Sequence, residues 1–142
     1  AIPALFETIG NEDQELEFAA IDALQDIGEK AKSFLLKQIH TDYSANTHKA
    51  LIAISLSFSQ DEEVAEACFE QLKLQNPNAK KDENYQQFIS YLIYTSVALN
   101  TEQRQNFQKW FAKNSKLFSS YKNEFTTLFT DWKNDDLKSI TY

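Results

Sequence analysis

A chain of 142 residues with 42% hydrophobic content is long and apolar enough for one packed domain, which excludes wholesale disorder. Only two glycines and two prolines occur, which argues against a many-turned β architecture, and no apolar run is long enough to cross a bilayer. The net charge of −7 is unevenly spread, with 14 acids against 4 bases in residues 1–71 and 7 acids against 10 bases in residues 72–142, so the first half repels phosphate and anionic lipid.

In chain order, Ala1 to about Ile9 reads as a short helix with Pro3 in its first turn, and Gly10-Asn11 is a stop. Asp13 is placed to cap a second helix running to Ile27. There Leu16, Ala19, Ala20, Ala23, Leu24 and Ile27 share one face, while Glu15, Asp22, Asp26 and Glu29 fall opposite, and Gly28 ends it. A third helix is predicted over Lys30–His40, with Ala31, Phe34, Leu35 and Ile39 inward. Asp42 and Ser44 then cap a fourth near Ala45–Phe58. A fifth follows Ser59, with Asp61, Glu62 and Glu63 in its first turn, where acids suit the helix dipole. Its predicted buried stripe is Val64, Ala65, Cys68, Phe69 and Leu72.

The segment Gln75-Asn76-Pro77-Asn78 breaks the pattern, and Ala79–Asn84 is polar, so a boundary between two subregions of one domain falls here. Residues 72–142 then hold 13 of the 19 aromatics. A helix is predicted over Glu83–Leu99, and Thr101 is a cap for the next, which carries Phe107, Trp110 and Phe111. The spacing of Leu117, Phe118, Tyr121, Phe125, Leu128, Phe129 and Trp132 continues to about Lys133, with a frayed tail beyond.

The first half repeats. AIPALFETIG lies over AKSFLLKQIH thirty residues later, so that Leu5 meets Leu35, Phe6 meets Leu36 and Ile9 meets Ile39. In the same register Ala20, Ile21, Ala23 and Leu24 lie over Ala50, Leu51, Ala53 and Ile54. An apolar pattern recurring at this period signals stacked helical hairpins. With Ala1 placed on the second helix of a repeat, and no methionine at its start, the chain reads as an excised piece of a longer array.

On Ile2, Pro3, Leu5, Ala19, Ala20, Ala23, Leu24, Ile27 and Gly28 the sequence resembles the HEAT-like repeats of phycobilisome-lyase-type and related bacterial proteins. The resemblance covers about Ala1 to Leu74. It departs at Glu17-Phe18, where many such repeats place arginine, and at Ser55 to Phe58, where the third repeat lacks the Asp and Gly of the pattern. It implies an all-α superhelix over residues 1–75; residues 82–142 match no such repeat and read, from their large aromatics, as a helical extension or C-terminal cap that seals the end of the stack. It implies no single activity, because such repeats serve lyases, adaptors, DNA-repair proteins and inhibitors.

Catalytic chemistry finds little purchase. One cysteine and two separated histidines, His40 and His48, give no metal-ligand spacing. Cys68 sits on an apolar stripe with Glu66 and Glu70 beside it, an arrangement that suits a core thiol rather than a nucleophile. Its being alone suits a reducing, cytoplasmic setting. No glycine-rich phosphate loop can be built from Gly10 and Gly28. Lys109, Lys113 and Lys116 form a basic stripe, but the acidic first half opposes nucleic-acid binding. The reading is therefore a non-enzymatic module, without metal or cofactor, that binds a basic protein partner as a scaffold or adaptor, with an inhibitor or immunity protein of a basic toxin as the specific version. Glu7, Glu12, Asp13, Glu15 and Glu17 are the candidate contact residues, since Ala1 to Glu29 carries eight acids and no base. The rival class is a HEAT-like enzyme of the bilin-lyase or DNA-glycosylase type.

Overall fold

The computed structural model describes residues 1–10, 13–39, 44–79 and 82–141, with side chains through Leu137. Its described residues are all-α. The helices are α1 (Ile2–Thr8), α2 (Gln14–Ile27), α3 (Glu29–Gln38), α4 (Ala45–Ser57), α5 (Glu62–Lys73), α6 (Glu83–Thr95), α7 (Thr101–Asn114) and α8 (Lys122–Thr141), with 3-10 turns at Ser96–Ala98 and Ser119–Tyr121.

Local chemistry sets most of these boundaries. The Asp13 carboxylate accepts from the amides of Glu15 and Leu16, Ser44 caps α4, and Asp61 and Asp82 accept from Val64 and Tyr85 at the starts of α5 and α6. Asp42, the other predicted cap of α4, lies outside the described residues. Gly28 ends α2 and starts α3 by itself at φ 80°, in the left-handed half of the map that side-chain-bearing residues rarely adopt. The cap of α7 is Asn100 rather than Thr101, because its amide oxygen reaches the Gln103 N–H at 2.9 Å and leaves Thr101 as the first helical residue. The predicted fraying after Lys133 is also corrected: α8 runs on to Thr141, and Asp135 meets Arg104 of α7.

The helices associate in sequential pairs, α1 on α2, α3 on α4 and α5 on α6, while α2 packs on α4 and α4 on α6. α2 also packs on α3. α4 is the centre of the layer. Its Ala50, Leu51, Ala53 and Ile54 are all fully buried, and the two alanines let its neighbours approach closely. The ends of α1 and α3 have similar backbones. Ile9 and Ile39 both leave their helices in an extended conformation, each N–H bonding to the carbonyl three residues back, Phe6 and Leu36.

One contiguous core runs from Phe6 to Trp132. All five predicted stripe residues of α5 are buried. On α2 the buried face is Ala20, Ile21 and Leu24, so the predicted stripe is rotated: Leu16 is 51% exposed and Ile27 38%. At the other end Phe107 is enclosed by rings, with centroids at 4.8 Å to Phe69, 5.3 Å to Trp132 and 5.5 Å to Trp110. Phe69 belongs to α5, so the aromatic cluster is bonded into the first half rather than appended to it.

The rotation of α2 is measurable. Leu24→Ala is expected to cost about 2–5 kcal/mol in urea unfolding, whereas Leu16→Ala stays within about 0.5 kcal/mol. The opposite ranking would contradict this packing.

Candidate functional site

The five candidate contact acids do not form one group. Glu12 lies outside the described residues. Asp13, Glu15 and Glu17 gather at the start of α2, where the Glu17 carboxylate accepts the Gly10 N–H at 3.1 Å and ties the α1–α2 turn. Glu7 turns the other way, toward Lys49 of α4 at 3.8 Å, with the Lys49 ammonium lying over the Phe6 ring. Three acids instead align along α2. Glu15, Asp22 and Asp26 project from its exposed side at helical spacing, next to the exposed or half-buried Leu16, Ala19, Ala23 and Ile27. The sequence already places these acids on one face; the exposure of the apolar residues beside them comes only from the packing.

A second charged group is not evident in the sequence. Lys32 is 5% exposed and its ammonium touches Asp61 at 3.0 Å, Glu29 at 3.1 Å and Glu63 at 3.2 Å. Asp61 uses its other oxygen to cap α5 at the Val64 N–H, so one carboxylate fastens α3 to the start of α5. The hydrogen bond to Asp61 raises the Lys32 pKa; burial works against it, and Glu29 and Glu63 add to it. For Asp61 burial pushes upward, but the Lys32 bond and the Val64 amide prevail and hold the carboxyl below its usual range. Of the three acids at the start of α5, Asp61 and Glu63 thus share Lys32, while Glu62 accepts from the Asn100 side chain at 2.6 Å.

Arg104 is the corresponding tie in the second half. Its guanidinium donates to the carbonyls of Leu99 and Val97, pairs with Asp135 and lies over the Trp132 ring, whose N–H also donates to Val97. It thereby holds the α6–α7 connection against α8. Nothing in the spacing of Arg104 and Asp135 along the chain announces this.

Two depressions lie along the joint between α4 and α6. One, of about 300 Å³, is bordered by Ile9, His48, Lys49, Ile52 and Asn84. The other, of about 210 Å³, is bordered by Leu56, Tyr91, Tyr94 and Val97. Burial lowers the His48 pKa; Gln87 and Asp82 oppose that. Cys68 is buried, and burial pushes its thiol up to about 12, with a hydrogen bond involving Thr95 acting the other way. Among the described residues no cluster of His, Cys, Asp and Glu is arranged to hold a metal ion, and no helix is long and apolar enough to cross a membrane. Compared with protein-family models, curated proteins and solved structures, the chain has no significant match.

The lowered Asp61 pKa means its stabilisation is complete above the ordinary value of 3.8 and is lost as pH falls through the lower folded value. The raised Lys32 pKa means its share is complete below 10.5 and is lost as pH rises through the higher folded value. Asp61→Ala is expected to cost about 2–4 kcal/mol at neutral pH, and Asp61→Asn to recover the capping part of that, about 1 kcal/mol. In urea titrations the gap between wild type and Lys32→Met should narrow below about pH 4; a gap constant with pH would show that the pair does not set the acid limb. A thiol with a pKa of about 12 stays protonated and enclosed. Native protein should therefore leave Cys68 unreacted with a chromogenic disulfide reagent at mildly alkaline pH, with full reaction on adding denaturant. Prompt labelling of the native protein would contradict its burial.

Proposed function

We propose that this chain is a non-enzymatic protein-binding module, a scaffold or adaptor built on a HEAT-like stack of hairpins, which meets a basic partner through the acidic surface of its first hairpin. The stacking of α2 on α4 and α4 on α6, together with the matching backbones at Ile9 and Ile39, supports the hairpin-repeat architecture. In this reading the aromatic cluster around Phe107 seals the far end of the stack. The observation that carries the binding role is the charge of α1 and α2. Ala1–Glu29 holds no lysine or arginine, and Glu15, Asp22 and Asp26 stand exposed in a row. Such a surface accelerates encounter with positive proteins and repels nucleic acid and anionic membrane.

The specific version of the proposal is an inhibitor or immunity protein for a basic toxin nuclease, working in the cytoplasm, where a single buried cysteine is at home. Basic nucleases need a positive cleft for their own substrate, and an acidic protein face can occupy it.

Titration against a panel of basic toxin nucleases tests this, with residual nuclease activity and calorimetry as readouts. The expected result is inhibition by at least one of them, weakened about tenfold or more when Glu15 becomes Gln and Asp22 and Asp26 become Asn, a change that leaves the Asp13 cap of α2 and the Glu17 tie to Gly10 in place. Full nuclease activity at excess protein across the panel removes the inhibitor version. Binding that ignores the neutralisation removes the acidic surface as its cause.

A further inference from the structure

The exposed side of α2 combines two features that together specify what fits there. Leu16, Ala19, Ala23 and Ile27 form a continuous apolar column along the helix, with Leu16 51% and Ile27 38% exposed. Glu15, Asp22 and Asp26 form the adjacent column, and all three are exposed. The opposite edge of the apolar column is closed by the core residues Ala20 and Leu24.

The internal repeat shows how such a column is normally covered. Thirty residues on, Ala23 and Ile27 correspond to Ala53 and Ser57 of α4, and both are buried. The element packed on that side of α4 is α2, and Ser57 Oγ donates to the Ile21 carbonyl at 3.3 Å. These two positions are thus buried on α4 and half-buried or exposed on α2, while the equivalents of Leu16 and Ala19, Asn46 and Lys49, are exposed and half-buried. The alanines at 19 and 23 are small enough to admit a helix backbone at similarly close range.

Charge then selects among helical occupants. A second copy docked through the same face would set Glu15, Asp22 and Asp26 against their own equivalents, which like-charge repulsion opposes. A helix with lysine or arginine beside a leucine- or alanine-rich stripe satisfies both columns at once. We infer that the Leu16–Ala19–Ala23–Ile27 face of α2 is a docking site for a basic amphipathic helix of a partner protein. This rests on the proposed role as a protein-binding module and names the chemistry of the segment that such a partner presents.

The test uses the whole chain and a fluorescein-labelled synthetic peptide, helix-stapled, with a leucine/alanine stripe flanked by lysines. Two companions have the same lysines in scrambled order, and the same stripe with glutamine in place of lysine. Fluorescence anisotropy is expected to show saturable binding of the first peptide, with each companion about tenfold weaker or more. Leu16→Asp with Ile27→Asp, and separately Asp22→Lys with Asp26→Lys, should each reduce affinity by about tenfold or more. Phe18→Asp, a change at another exposed apolar residue of α2, should leave it unchanged. Circular dichroism of each variant reports that the fold is retained, as exposure of all five positions leads one to expect. Equal binding of the amphipathic and scrambled peptides overturns the docking site while leaving the acidic surface as an attractor. Equal binding of the lysine and glutamine peptides removes the charge selection. Failure of the first peptide to bind, or binding indifferent to Leu16 and Ile27, overturns the inference, whereas the nuclease titration tests the wider role separately.

Discussion

The structure depends on the burial of α4. Six of its thirteen residues, Thr47, Ala50, Leu51, Ala53, Ile54 and Ser57, face protein rather than water, and α2, α3 and α6 all rest on it. A helix enclosed on three sides needs small residues where backbones approach and branched or large ones where side chains interlock, and alanine, leucine and isoleucine supply both. Burying each leucine or isoleucine of this kind is worth about 1.5–3 kcal/mol. Everything at the periphery, including the exposed side of α2, is positioned by reference to it.

Two charged ties then hold the helices in place around that layer. Lys32 with Asp61 joins α3 to α5, and Arg104 with the Val97 and Leu99 carbonyls joins the α6–α7 connection to α8. Buried ion pairs seldom add much net stability over apolar packing, because the charges must be desolvated. Their value here is geometric. A lysine ammonium enclosed by three carboxylates has a single position of best fit, and that position sets the spacing between the second and third hairpins.

The same physics that closes the core leaves one side of the first hairpin open. On α4, Ala53 and Ser57 are covered; on α2, Ala23 is half-buried and Leu16, Ala19 and Ile27 meet solvent, beside a row of carboxylates. In the proposed reading, an apolar column with an acidic border would discriminate among partners as well as attract them, since it would disfavour copies of itself, nucleic acid and anionic lipid. The proposed function and the docking inference both grow from this difference between α2 and α4.

Helical class, the order of the helices and most of their ends were determined by the sequence itself. Scarce glycine and proline, acidic or hydroxyl caps at Asp13 and Ser44, the stop at Gly28 and the stripe on α5 are local signals, and each acts within a few residues, whereas Asp61, read as part of the first turn of α5, is its cap. The acidic row on α2 was legible for the same reason, since helical spacing alone aligns Glu15, Asp22 and Asp26. What the sequence misjudged was rotation and pairing. An apolar arc as wide as that of α2 does not say which part of it meets the core, so Leu16 and Ile27 looked as inward as Leu24. That choice is made by α1 and α4, which come from elsewhere in the chain. Lys32 with Asp61, and Arg104 with Trp132 and Asp135, were invisible for the same cause: their partners are brought together only when distant helices pack, and tertiary packing alone decided them.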